Sequence, residues 1–423
     1  MKKNANWRKL DNAAKIFPPS SSSKDPKVFR FSCELYEEVD ESCLKRAVNM
    51  TLQQFPFFRS ILKKGVFWYY FEETRLIPEI TREHKPPCSP IYDSNNKRLL
   101  FEVSYYKRRI NLEVFHALSD GTGTIMFLRA LITNYLNNKY RTSDNLFQIE
   151  GLNTSHLEMT NDSFDKYFSQ SKITRTKSPA AFRFKQRKYP NYQIGVVECI
   201  VPVGKVKEKS RTLGLSVTEY LISLLIDSIG ENMTVRDKQK PISVSVPVNL
   251  RNYFPSKTSQ NFFCVINLIH DFNTQGDSRE DIIENVKQVF RETLTKDYLQ
   301  ERINLFASIE NKMIAKLVPL FFKIPILNAA NKISDRGVTA AFSNVGQIQL
   351  PPGSEKYVRR FSVFTSTEKL QVTMCSFGDD LTISFTSPFN STEVHCSFLD
   401  RLNEIHDLDI EINTNLKNLV SVK

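Results

Sequence analysis

The sequence predicts an α+β fold built of two-layer α/β lobes with mixed β-sheets, and three observations lead to it. Strand-like and helix-like segments alternate irregularly along the chain, without the strict β-α-β order that a doubly wound parallel sheet requires. At 423 residues the chain is long for one hydrophobic core, and surface-to-volume scaling favours two lobes of roughly 200 residues each. Hydrophobic residues make up 41% and aromatic residues 11%, including 31 Phe, enough to fill two such cores. The expected division is 1–180 and 181–423, with a pocket between the lobes.

The elements follow from local pattern. Val28 to Val39 alternates apolar and polar residues as a half-buried strand does. Asp40 then serves as an N-cap for a helix that carries Leu44, Ala47, Val48 and Leu52 on one stripe and is limited by Pro56. A hairpin is expected around Gly65, with Val66 to Phe71 as its aromatic strand, followed by a Pro-, Ser- and Asn-rich loop over 84–98. Leu99 to Tyr106 and Ile110 to Phe115 read as strands joined by the basic turn Lys107-Arg108-Arg109. Ile125, Leu128, Leu131, Ile132 and Tyr135 recur at helical spacing after it. Residues 141–190 are polar and serve as a crossover with some helix.

Gly195 to Val203 opens the second half as a strand, and Ser216-Val-Thr-Glu219 is a capping box for an apolar helix. Ile242 to Val248 and Phe262 to Phe272 are expected strands. Asp281 to Met313 has a long helical pattern with a break near Asp297 and Tyr298. Met313 to Lys332 is apolar and basic, best read as a core or crossover helix, with an acceptor-pocket lining or a membrane contact as alternatives. Val358 to Thr365 is a strand, Leu370 to Phe377 and Leu381 to Ser387 form a hairpin around Gly378, and Thr392 to His406 is a last helix before a short strand. No internal repeat stands out.

Charge and composition narrow the function classes. The net charge of +12 is spread through the chain in short clusters, which suits a phosphate-bearing small molecule better than nucleic acid. The seven cysteines are widely spaced and contain no Cys-x-x-Cys pair, so neither a disulfide framework nor a zinc site is expected. His84, His156, His270, His395 and His406 lack metal spacing. The N-terminus lacks an apolar signal core, and Lys316 and Lys323 interrupt the longest apolar stretch. These features predict a soluble cytoplasmic protein without a membrane span. A Gly-x-Ser-x-Gly elbow, a P-loop and a Gly-x-Gly-x-x-Gly fingerprint are missing from the sequence.

The candidate site is His116-Ala-Leu-Ser-Asp120-Gly121, set on a turn between an apolar strand and a helix. A histidine at such a position can act as a general base near neutral pH, worth roughly 10²–10⁴ in rate. The tight turn at Gly121 tends to swing the Asp120 carboxylate away, so its expected duty is to anchor the loop through an arginine and hold His116 in place. A helix cap beside a surface histidine is the bland alternative. Gly121 and Gly123 leave backbone freedom for a close ligand.

This segment resembles the His-x-x-x-Asp-Gly motif of the acyl-CoA-dependent acyltransferase superfamily. That superfamily contains chloramphenicol acetyltransferase, plant BAHD enzymes, nonribosomal-peptide condensation domains and alcohol acetyltransferases. Val39 to Arg59, Pro247-Val-Asn-Leu-Arg251 with Asn261-Phe262, Leu10 to Phe17 and Ala341 to Gly346 carry the resemblance across nearly the whole chain. The last two segments look most like the bacterial alcohol acetyltransferase branch. The resemblance implies two chloramphenicol-acetyltransferase-like lobes, with His116 in a tunnel between them and Asp120 paired with Arg251. It implies acyl-CoA, foremost acetyl-CoA, as co-substrate, an alcohol or amine as acceptor, and no metal. Ser343 and Asn344 become candidate oxyanion donors, with a turn-forming role as the alternative. Phe115 stands where many relatives have a first histidine, and the Asp-Phe-Gly-Trp-Gly element of plant relatives is missing. A carrier-protein-dependent condensing or lipid-acylating enzyme, and a catalytically silent ligand-binding relative, remain the rival readings.

Overall fold

A computed structural model describes residues 7–140, 147–148, 156–169, 179–311 and 317–416. The first part runs β1 (Trp7–Lys9), α1 (Phe17–Ser20), β2 (Val28–Leu35), α2 (Glu41–Gln54), β3 (Ser60–Lys64), β4 (Tyr69–Glu73), β5 (Ile80–Arg82), β6 (Phe101–Tyr106), β7 (Arg109–Phe115) and α3 (Gly121–Lys139). Then come α4 (His156–Thr160), α5 (Ser163–Tyr167), β8 (Gly195–Pro202), α6 (Val203–Thr212), α7 (Val217–Glu231), β9 (Ile242–Asn249), β10 (Phe263–His270), α8 (Phe272–Gln275), α9 (Arg279–Thr293) and α10 (Lys296–Asn311). The last stretch holds α11 (Leu320–Arg336), β11 (Ala340–Gln347), β12 (Val358–Thr365), β13 (Leu370–Phe377), β14 (Asp380–Ser387), α12 (Glu393–Asn403) and β15 (Glu411–Thr414).

Caps explain where the helices begin. The Asp40 carboxylate accepts from Cys43 N at 2.8 Å, and Ser216 and Glu219 close the expected capping box at α7. The helices cover two main sheets. A five-stranded sheet has the order β12-β2-β7-β6-β5, and a seven-stranded sheet the order β10-β9-β11-β13-β14-β8-β15. Both are mixed, since β5 runs parallel to β6, and β11 runs parallel to β9 and β13. A third sheet, β1-β4-β3, flanks the first.

Each main sheet buries one apolar face under helices. Phe31, Phe58, Phe101 and Phe127 belong to a core that α2 and α3 share with the five-stranded sheet. Val244, Phe342, Phe385 and Phe398 belong to a second core, under α7 and α12. The α+β class with mixed sheets is therefore the observed one.

Four details depart from the sequence expectations. The strand expected at Val66 begins at Tyr69, because Gly65 N bonds Trp68 O at 3.0 Å and the chain turns there. The helix break after 281 falls at Leu294 and Thr295, three residues early, where Leu294 caps α9 through Phe290 O. β12 lies beyond residue 181 yet pairs antiparallel with β2, Phe361 opposite Cys33. Residue 181 is thus not a clean cut, because Phe361 and Val363 complete the first core. The expected core helix over Met313 to Lys332 becomes α11, in which only Leu320 and Lys323 are buried; its 313–316 lie outside the described residues. Among the described residues no single helix is long and apolar enough to cross a membrane, though the bent pair α6 and α7 passes that test together. α7 carries much of the second core.

Candidate active site

β7 delivers His116 to the seam between the two sheets. The His116 N–H donates to Lys27 O at 2.8 Å, which ends the strand and turns the chain. The imidazole stacks on Phe17 with centroids 4.2 Å apart, and Phe29 and Phe263 approach its edges. Phe17 and Phe29 belong to the first half of the chain and Phe263 to β10, so residues from both lobes grip the ring.

The protonation pattern of the ring follows from a chain of hydrogen bonds. Asn261 donates through Nδ2 to Asp11 Oδ2 at 3.0 Å, and its backbone N–H donates to the same oxygen at 3.2 Å. Asp11 Oδ1 accepts from Ala14 N at 2.7 Å. With its amide held this way, Asn261 presents Oδ1 to His116 Nδ1 at 3.2 Å. An acceptor there requires Nδ1 to carry the hydrogen, which leaves the Nε2 lone pair as the basic site. Burial is the main force that lowers the His116 pKa below its ordinary 6.5, against opposing contributions from its own carbonyl, the Asp120 charge and Asn261. Burial also pushes the Asp11 carboxyl up to about 6. At neutral pH the network is a carboxylate, an amide and a neutral imidazole.

Asp120 takes no part in that chain. It caps α3 by accepting from Gly123 N at 2.9 Å. Its Oδ2 accepts from Arg251 Nη1 at 2.7 Å and from Phe262 N at 2.8 Å, and Oδ1 accepts from Arg251 Nη2 at 3.3 Å. Both side chains are buried, 6% exposed for Asp120 and 7% for Arg251. Arg251 spends its remaining donors on the carbonyls of Thr258 and Gln260 and on Asn249 Oδ1. The lone pairs of Asp120 are thus spent on the start of α3 and on the loop after β9, and none accepts a hydrogen bond from the imidazole.

The glycines divide differently from the sequence expectation. A Cβ on Gly121 would meet nothing within 4 Å, whereas one on Gly123 would come within 2.0 Å of Ser259 O and 2.4 Å of Ser119 Oγ. The close approach of α3 to the 258–262 loop therefore depends on Gly123. Gly121 gives no packing support that a methyl group would disturb.

Ser343 and Asn344 sit on β11. Ser343 lies beside Thr373, whose hydroxyl donates to Val363 O on β12, so it occupies the sheet face turned toward the seam. Asn344 is engaged elsewhere: its Nδ2 donates to Thr218 Oγ1 at 2.8 Å, and its Oδ1 accepts from Gly346 N at 2.7 Å across a bulge where Gly346 has φ of +88°. That is a turn-forming role. Among the described residues no hydrogen bond ties either side chain to His116.

Sequence reasoning gave no role to Asp11, Asn261 or Phe17, although all three fall in segments it singled out. Asp11 and Asn261 lie 250 residues apart, and no spacing rule connects such a pair.

A separate surface cavity of about 260 Å³ is lined by Arg183, Lys185, Lys188, Lys240 and Lys369 with Asp237 and Glu368 as its acids. Burial and then neighbouring cations lower the Lys188 and Lys369 pKa values, Arg183 being among those cations for both. Lys27, whose carbonyl holds His116, lies close enough to Glu368 and Asp335 to feel their charge.

No protein-family profile and no curated protein matches the sequence. Solved structures do match. The TRI3 trichothecene 15-O-acetyltransferase from Fusarium sporotrichioides superposes with a TM-score of 0.64 at 11% identity, over 94% of each chain. The fold is that of the chloramphenicol-acetyltransferase-like acyltransferases and condensation domains. F. sporotrichioides TRI101, solved with coenzyme A and T-2, matches with a TM-score of 0.62 at 12% identity, over 96% of this chain and all of that one. Polyketide synthase associated protein 5 from Mycobacterium tuberculosis gives 0.59 at 12% identity, over 93% of this chain and 97% of its own.

Two expectations follow from this geometry. Asp120→Asn removes the charge that faces Arg251 and should lower stability by about 2–3 kcal/mol, measured by denaturant unfolding, with activity falling alongside. Gly123→Ala forces backbone apart and should cost at least about 1–3 kcal/mol. Gly121→Ala should melt at the wild-type temperature, and equal losses in the two glycine variants would contradict the packing account.

Proposed function

We propose that this protein transfers an acyl group from acyl-CoA, acetyl-CoA foremost, to an alcohol or amine, as the alcohol acetyltransferases do. The observation that carries the reading is the neutral imidazole of His116, with Nδ1 committed to Asn261 Oδ1 and Nε2 left basic. His116 Nε2 takes the proton of the acceptor as its oxygen or nitrogen bonds to the thioester carbonyl carbon. The tetrahedral adduct then expels the thiolate as the carbon–sulfur bond breaks, and His116 returns the proton to sulfur. Every proton is accounted for, and no covalent enzyme intermediate is needed. Asp120 and Arg251 keep the strand-to-helix turn at a fixed distance from the acceptor side, where a misplacement of ~1 Å costs on the order of 10²-fold.

The basic cavity fits a phosphate-bearing donor. Its five cations against two acids leave a surplus of positive charge that an anion would offset. Arg183, Lys188 and Lys240 are the residues proposed to hold the phosphates of coenzyme A, whose thioester supplies the activated acyl group. TRI101, with coenzyme A bound, offers the parallel.

A free-thiol release assay with a panel of acyl-CoAs and alcohols or amines tests the reading. His116→Ala should lower turnover by roughly 10²–10⁴-fold while leaving the melting temperature within the wild-type range. Full activity in that variant rejects the base. Reaction only with an acyl carrier protein favours the condensing alternative, and ligand-induced stabilisation without thiol release favours a silent binding protein.

The pH profile has a definite sign. The base works only when neutral, and its pKa lies below 6.5, so kcat/KM should rise with pH and reach its plateau before neutrality. An acid limb centred above pH 6.5 would contradict the buried neutral imidazole.

A further inference from the structure

Helix α11 inverts the usual order of a surface helix. Such helices turn charged residues outward and apolar ones inward, but α11 exposes Phe321, Phe322, Ile326 and Ile333 at 61% to 74% and buries Lys323. The inversion is held in place by the hairpin between β3 and β4. Leu320 N donates to Val66 O at 2.7 Å, and Lys323 Nζ donates to Phe67 O at 3.0 Å while lying 4.0 Å from the Trp68 ring centroid. Val66 is itself 71% exposed and Phe67 45%. The hairpin tip and the helix therefore present one apolar surface from two parts of the chain.

The charges around this surface select its occupant. Lys332 and Arg336 are exposed on α11, and Lys64 is exposed at the base of the hairpin tip. The one acid of the helix, Asp335, is paired with Lys369 at 3.0 Å, and the whole chain carries +12. A two-fold pairing with a second copy would bring together two surfaces of the same positive charge. An anionic bilayer surface instead satisfies both features, because apolar side chains enter the headgroup boundary while lysine and arginine meet anionic lipid. α11 spans 17 residues with a proline inside, about 25 Å at helical rise, a suitable length for lying in the interface.

We propose that α11 and the Val66–Phe67 tip form a docking face for the surface of an anionic membrane. The inference is independent of the acyl-transfer reading, since nothing in it involves His116. It also gives the apolar side chains that the fold leaves uncovered a place away from water.

Sedimentation of the full chain with vesicles tests it. The protein should bind vesicles of phosphatidylcholine and phosphatidylglycerol, bind phosphatidylcholine alone more weakly, and lose affinity as salt rises. The double variant Phe321→Glu/Phe322→Glu should partition roughly tenfold less or lower, with an unchanged melting temperature because both rings face solvent. Lys332→Glu/Arg336→Glu should lose binding to the anionic vesicles only. The proposal is overturned if wild type ignores both vesicle types, or if the phenylalanine variant binds as wild type does. Light scattering that shows a wild-type dimer which the phenylalanine variant dissociates would overturn it too, by assigning the face to a second copy.

Discussion

The ion pair between Asp120 and Arg251 spans 131 residues of sequence and joins the turn after the first sheet's β7 to the loop after β9. A buried pair of this kind persists only when its leftover lone pairs and donors are also matched. Here they are: Phe262 N and Gly123 N complete Asp120, and the carbonyls of Thr258 and Gln260 complete Arg251. The pair thereby fixes the 258–262 segment, and with it Asn261. The orientation of the His116 ring rests on an ion pair that does not touch it.

Division of labour between the two carboxylates explains the site's electrostatics. Asp120 is consumed by structure, so its charge reaches His116 only through space, as one of the contributions that raise the imidazole pKa. Asp11 approaches from the chain's opening segment and sets the direction of the Asn261 amide. Neither carboxylate accepts a hydrogen bond from the imidazole. Burial between Phe17, Phe29 and Phe263 then outweighs the raising contributions and keeps the ring neutral. An imidazole held in this way is less basic than one paired with a carboxylate.

The seam also relates the two surfaces of interest. α1 bears Phe17 against His116 and packs against α11. The exposed apolar helix is thus separated from the His116 ring by a single short element. Glu368 of the basic cavity acts on Lys27, whose carbonyl accepts from the His116 N–H.

By itself the sequence determined the class and most of the elements. The Asp40 cap, the Ser216–Glu219 box, the Gly378 turn and the strand leading into His116 depend on residues close together in the chain, where alternation, capping and backbone conformation act locally. The Asp120–Arg251 pairing was reachable only because a resemblance supplied it. Four things were decided by tertiary structure alone: the transfer of β12 to the first sheet, the role of Gly123 rather than Gly121, the Asp11–Asn261–His116 chain, and the exposure of α11. Each depends on which distant backbone or side chain lies opposite, and no periodicity within one segment records its neighbour across the seam.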